Sequence, residues 1–285
     1  MWILDAFLSA LFAGITAVLA KIGIRNTDSH LATALRTVVV LAFAWLMVFV
    51  AGAQHTLWDI SAKSLIFLIL SGLCTGGSWI CYFRALQLGD VNKVVPIDKA
   101  SILLTMVMAF VFLREPISLL KGVSMTLIGA GTWLMIQRKD EGDHAGRGAW
   151  LVYAVLSAVF AAATSILGKV GIEAVESNLG TAIRTGVVLI LAWGIVLAQG
   201  KQREIREIGK KGWVFIVLSG FATGFSWLFY YRALQNGQAS IVVPIDKLSI
   251  VVTILFSRIV LKERLTGKAW AGFVILICGT LLLLV

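Results

Sequence analysis

Two sets of five ionisable residues stand inside stretches that are otherwise apolar: Lys21, Arg36, Arg84, Asp98 and Lys99, and then Lys169, Arg184, Arg232, Asp246 and Lys247. Each set holds four bases and one acid, so one aspartate neutralising one base leaves an excess of 4 − 1 = 3 positive charges, which attracts anions. An ion placed in hydrocarbon costs at least about 2.5–3.5 kcal/mol, so these side chains are expected to face a helix-bundle interior or a water-filled cavity. Two uses are open. The bases could recruit an anionic solute while aspartate–arginine pairs form and break as gates, or the pairs could only pin helices together while Lys21 and Lys99 snorkel to headgroups. Pro96 and Pro244 precede the aspartates by two residues. Proline is tolerated in a helix's first turn, where free N–H groups and the positive dipole end can meet a carboxylate or phosphate.

A second pattern is small, hydroxylic and aromatic: Gly72-x-x-Thr75-Gly76-x-Ser78-Trp79-x-x-Tyr82, and again Gly220-x-x-Thr223-Gly224-x-Ser226-Trp227-x-x-Tyr230. Small residues four apart permit close helix approach. Ser78, Trp79, Tyr82, Ser226, Trp227 and Tyr230 either line a central pocket or pack in the core. Thr16, Thr105, Thr164 and Thr253 are weaker candidates, because a buried threonine can satisfy itself on its own helix. Glu115 and Glu263 stand at turns and read as caps or ion-pair partners. Gly76-Gly77-Ser78 faintly resembles an intramembrane serine hydrolase, but His30, His55 and His144 lie in or beside loops, and a catalytic Ser–His pair needs one at membrane depth. No catalytic residue is assigned. Cys74, Cys81 and Cys278 lack metal-ligand spacing, so neither a metal site nor a cofactor is expected.

The elements that must hold these residues are membrane helices. The chain of 285 residues is 59% apolar and 14% charged, with a mean hydropathy of +0.92, well outside the soluble range. Ten stretches are long enough to cross a bilayer, near 3–24, 31–52, 65–87, 94–113, 117–136, 150–172, 179–199, 213–235, 241–260 and 267–285. No cleavable signal peptide is recognisable. The net charge of +10 would suggest nucleic acid in a soluble protein, but most loop bases flank membrane spans, where headgroups and orientation account for them.

Shifting the sequence by 148 residues lays it on itself without a gap: Lys21 on Lys169, Arg36-Thr37 on Arg184-Thr185, Ser71-Gly72 on Ser219-Gly220, and Pro96-Ile-Asp98-Lys99 on Pro244-Ile-Asp246-Lys247. Residues 1–138 and 149–285 are therefore two five-helix repeats joined by a linker, 139–148. An odd number of helices per copy makes the second copy enter the membrane from the opposite side. The expected fold is an all-α integral membrane protein, ten transmembrane helices in a 5+5 inverted repeat, the geometry of alternating access. Antiparallel neighbours gather each charge set at one membrane face, the first set opposite the second. Lysines and arginines concentrate in the loops after odd-numbered spans, as at Arg25, Lys139, Arg203 and Lys262, against Lys63, Arg114 and Lys121 elsewhere. The positive-inside rule then puts both termini outside.

Two copies ending in Pro-Ile-Asp-Lys-x-Ser, a hydrophobic run, a glutamate at the next turn and a Gly-Thr-rich last helix resemble the EamA half-domains of the drug/metabolite transporter superfamily. The resemblance covers essentially the whole chain. It implies a ten-helix carrier that exports or exchanges small molecules such as amino acids, phosphorylated metabolites or amines, with cytoplasmic termini. The related small multidrug resistance proteins carry a glutamate in the middle of helix 1. Here that helix offers only Asp5, near its start, and the aligned helix has Tyr153. Basic pocket residues are more similar to those of the superfamily's sugar-phosphate exchangers.

The function expected is secondary transport of a small anionic or zwitterionic metabolite, with a lipid or lipid-linked headgroup flippase as the alternative and an intramembrane hydrolase as a remote one. Expected partners are a small-molecule substrate, membrane lipids and coupling protons, with no nucleic acid, in a monomer or homodimer. The expected location is the cytoplasmic membrane of a prokaryote, crossed many times.

Overall fold

The computed structural model describes residues 1–23, 27–88, 94, 97, 100–135, 149–260 and 266–285, without the side chains at 20–23, 83, 86, 87, 135 and 256–260. The described residues are almost wholly helical. The helices are α1 (Trp2–Gly23), α2 (Ser29–Val50), α3 (Ala62–Leu88), α4 (Ser101–Phe112), α5 (Leu119–Met135), α6 (Ala149–Ile172), α7 (Ser177–Ala198), α8 (Lys210–Asn236), α9 (Ala239–Asp246), α10 (Ser249–Val260) and α11 (Gly267–Leu281). Seven of the described helices are long and apolar enough to cross a membrane, and the segments 101–112 and 119–134 are shorter apolar helices. Bilayer-spanning backbone must satisfy its own polar groups, and a helix does so within one segment. The chain is a multi-pass membrane protein.

Helix starts and stops follow local chemistry. Asp28 caps α2 by accepting from the His30 and Leu31 N–H groups at 2.9 and 3.1 Å. Its repeat mate Glu176 caps α7 through Leu179 N–H at 2.9 Å. Gly52 and Gly200, again repeat mates, take left-handed backbone at φ 67° and 69°, each opening a short 3-10 turn, Ala53–Asp59 or Lys201–Glu207.

The chain divides into two compact units that interleave segments of both repeats. One comprises residues 1–73, 167–237 and 246–262, the other 74–166, 238–245 and 263–285. In the first unit, α1 packs along α8, and α2 lies against α7 and α8. Lys201, just past the end of α7, reaches Asp28 at the start of α2, 3.8 Å away. Ala44 and Val48 from the far half of α2 share a core with Leu179 and Ala182 from the near half of α7. Contacts that advance along one helix while receding along the other mean that α2 and α7, equivalent helices of the two repeats, run antiparallel. In the second unit α5 packs on α11 with the same reciprocity. A Cβ on Gly131 would come within 2.5 Å of Leu276 backbone, and one on Gly279 within 3.0 Å of Ile128 backbone, Ile128 and Leu276 being repeat mates.

The predicted span 241–260 is two helices. Glu115 binds the Ala239 and Ser240 N–H groups, so α9 begins at Ala239 and Pro244 is its sixth residue rather than part of a helix start. Proline's missing N–H deprives the Ser240 carbonyl of its helical donor. The helix stops at Asp246 and restarts at Ser249. The chain passes from one compact unit to the other at this interruption.

Candidate functional site

Arg184 is the most enclosed charge among the described predicted site residues, 3% exposed. Close approach puts it there. A Cβ on Gly72 would lie 2.8 Å from Val187 and 3.1 Å from the Arg184 carbonyl, so α3 and α7 touch at the turn that carries the arginine. From that turn Arg184 Nε donates to Ser71 Oγ at 3.0 Å. Its guanidinium carbon stands 5.0 Å from the Trp227 ring centroid and 4.8 Å from that of Tyr231. A delocalised cation between two aromatic faces is held by cation–π attraction as well as by its hydrogen bond. Tyr230 meets the Tyr231 ring edge-on, centroids 5.2 Å apart. The Gly220 contact with Val39 and the Arg36 carbonyl, at 2.6 and 3.2 Å, repeats the Gly72 arrangement for Arg36, which is half-buried on α2.

A polar ladder runs along the antiparallel pair α1–α8. Arg232 Nη2 donates to Asp5 Oδ1 at 2.6 Å and lies over the Phe229 ring at 5.0 Å. One turn on, Ser9 donates to Asp246 Oδ1 at 2.6 Å and lies 3.4 Å from Ser226 Oγ. Phe12 stacks on Phe225 with centroids 5.0 Å apart. Beyond it Thr223 donates to Thr16 at 3.3 Å. Ser226 and Asp246, both predicted, are thus joined through Ser9, which sequence reasoning missed.

The second unit carries the equivalent ladder between α3 and α6. Ser78 Oγ donates to the Ser157 carbonyl at 3.1 Å, Ser157 Oγ returns a bond to the Ser78 carbonyl at 3.2 Å, and Thr75 and Thr164 hydroxyls are 3.3 Å apart. Ser157 is the repeat mate of Ser9. Tyr82 packs with Tyr153 and Trp150 around Ala85, Val94 and Ala154, and Trp79 is half-buried. The weaker threonine candidates all bond a carbonyl one turn back, Thr16 to Phe12 at 2.9 Å, Thr105 to Ser101 at 2.8 Å, Thr164 to Phe160 at 3.0 Å and Thr253 to Ser249 at 3.1 Å.

The remaining predicted charges go elsewhere. Lys169 donates to the Leu234 carbonyl at 2.8 Å and to the Gly237 carbonyl, closing the C-terminal end of α8, where free carbonyls favour a cation. Lys247 and Arg84 are exposed. The side chains of Lys21, Asp98 and Lys99 lie outside the described residues. Glu115 is a cap, as its position at the turn suggested, accepting from Ala239 N–H at 2.6 Å and Ser240 N–H at 3.0 Å, while Glu263 lies outside the described residues. Beside it the buried Lys121 donates to Gln238 Oε1 at 2.5 Å and to the Pro116 carbonyl at 2.9 Å. Outside the helices, hydrogen bonding to Glu204, together with the Glu204 and Asp28 charges, pushes the Lys201 ammonium above its usual range.

Ser9, Ser71 and Tyr231 are the partners the sequence did not single out. Ser71 had a signal, the repeated Ser-Gly pair beside each close-approach glycine. Ser9 shares its repeat position with Ser157, and Tyr231 adjoins a tyrosine already selected, but contact between copies is invisible along one chain.

The sequence pattern that defines the EamA-like transporter family matches residues 1–137 and 148–285. The chain belongs to the EamA-like transporter family. Among its relatives, an "uncharacterized transporter in cobO 3'region" of Sinorhizobium sp is 45% identical over 136 residues, 48% of this chain and 96% of that protein. The "uncharacterized transporter YxxF" of Bacillus subtilis is 22% identical over 247 residues, 86% of this chain and 76% of that protein. A protein of known crystal structure shares the fold, with a TM-score of 0.77 at 16% identity over 99% of this chain and 96% of its own. These curated relatives are named as transporters, not as enzymes.

Proposed function

We propose that this EamA transporter is a secondary carrier, ten transmembrane helices in a 5+5 inverted repeat spanning 1–138 and 149–285, that moves a small anionic or zwitterionic metabolite by alternating access. The observation that carries the reading is the antiparallel run of α2 against α7. Equivalent helices related by a two-fold axis in the membrane plane give inward-open and outward-open states with nearly the same contacts, hence similar energies. The paired ladders, Ser9–Ser226 with Thr16–Thr223 and Ser157–Ser78 with Thr164–Thr75, support it, because each is the other under the 148-residue shift.

In this reading Arg184, held between Trp227 and Tyr231, attracts the solute's negative charge. Ser78, Trp79, Tyr82, Ser226 and Tyr230 bound the path, and Lys21, Arg36, Arg84, Lys99, Lys169, Arg232 and Lys247 set the field at the two mouths, with Asp98 and Asp246 as the acids of each set. Its place is the cytoplasmic membrane of a prokaryote, where it works as an exporter or exchanger, as a monomer or homodimer. The test is uptake by proteoliposomes of purified protein, with anionic, zwitterionic and cationic solutes compared, for wild type, Arg36→Gln, Arg184→Gln and the double variant. Selective loss of anionic and zwitterionic flux is expected. Unchanged flux of every anionic solute in the double variant discards the charge argument.

A further inference from the structure

Asp246 ends α9 at the point where the helix is interrupted, is half-buried, and among the described residues receives one hydrogen bond, from Ser9 at 2.6 Å. Among the described residues no lysine or arginine nitrogen lies within 4.0 Å of its carboxylate. Two of the described charges nearby are engaged elsewhere. On α1, which packs on α10, Asp5 is held by Arg232 of α8 at 2.6 Å. On α7 Arg184 is held by Ser71 between Trp227 and Tyr231. Lys247, on the same turn, is exposed, and the side chains of Lys21 and Arg258 lie outside the described set. A carboxylate in a membrane protein that none of the described cations contacts has two ways to avoid the cost of its charge, taking a proton or taking an ion from water.

We propose that Asp246 is a proton-exchange site: it takes a proton from water on one side, forming one O–H bond, and returns it to water after the path reopens. A serine hydroxyl suits this exchange because it serves both forms. It donates to the carboxylate, and when Asp246 is protonated it can rotate and accept. A lysine or arginine in that place would fix the charge. The break at 247–248 lets the acid move with the helix ends rather than with a continuous rod, and unwound backbone at membrane depth persists where protein or a cavity satisfies it. Use of this proton in coupling rests on the carrier reading, but its binding does not.

The test is infrared difference spectroscopy of the full-length protein in lipid during a pH titration, for wild type, Asp246→Asn, Ser9→Ala and Asp5→Asn. Wild type should show a protonated-carboxyl stretch that titrates reversibly. Asp246→Asn should lose it, Asp5→Asn should keep it, and Ser9→Ala should move its midpoint to higher pH, since the carboxylate loses its donor. A wild type without such a band, or an Asp246→Asn protein that retains it, overturns the assignment. If Asp246→Asn does not fold, the Ser9→Ala midpoint decides, and an unmoved midpoint is then negative. Proteoliposome flux measured beside it separates the two questions: a titrating Asp246 in a protein that moves no solute sinks the carrier reading and leaves the proton site standing.

Discussion

Arg232 holds Asp5 at 2.6 Å across α1 and α8, and the repeat does not reproduce the pair. The 148-residue shift carries Arg232 onto Arg84 but Asp5 onto Tyr153, which packs in the hydrophobic cluster around Ala154. This ion pair, like that of Lys201 with Asp28, has no counterpart under the shift, and in the proposed carrier a small energy difference of this kind biases the balance between the two open states.

A double-mutant cycle on Asp5→Asn and Arg232→Gln, followed by thermal unfolding in detergent, should therefore be non-additive. The Arg232 side chain is 51% exposed, so the coupling is expected at about 0.2–1 kcal/mol, the range of exposed pairs. Exchanging the charges, Asp5→Arg with Arg232→Asp, should recover part of the loss. Strict additivity would remove the pair from the account of conformational bias.

Gly220→Ala should destabilise the first unit by about 1–3 kcal/mol, because the new Cβ meets a rigid wall rather than a flexible side-chain end. The wall is Val39 Cβ at 2.6 Å and the Arg36 carbonyl at 3.2 Å. Gly194→Ala, with nothing within 4 Å of its Cβ, is the matched control. Equal melting temperatures for the two variants would contradict this close approach.

Removing the Glu115 carboxylate leaves two α9 N–H groups without their acceptor. Glu115→Ala should cost about 1–3 kcal/mol, and Glu115→Gln less, since an amide oxygen still accepts one bond. The preceding residue, Arg114, takes left-handed backbone at φ 53°. Replacing it by glycine should not harm stability, because glycine enters that region without a steric penalty. Unfolding curves for the three variants check both statements, and a Glu115→Ala protein as stable as wild type refutes the cap.

His55 and Arg203 are exposed repeat mates in the two 3-10 turns. In a background with the three native cysteines replaced, His55→Cys and Arg203→Cys should react with a membrane-impermeant maleimide from opposite sides of intact vesicles. Labelling of both from one side would end the inverted-repeat proposal.

Composition and spacing were enough to determine the membrane class, the duplication, the arginines at matched repeat positions and the small residues that let helices touch, because these depend on hydropathy and period, which are properties of a single strand of residues. The threonines' bonds to their own helices and the capping role of Glu115 were also legible, being local or at a chain turn. The break after Asp246 was not, because Pro244 reads equally well as a helix start until Glu115 shows that the helix began five residues earlier. Nor could spacing tell that Arg184 would find Ser71 and two aromatic rings, that Ser9 would reach Asp246, or that Lys169 would close the end of α8. Each of these partners comes from another helix, often from the other repeat. Which helices become neighbours is decided by packing of small residues at a few crossing points, a three-dimensional choice that no one-dimensional pattern contains.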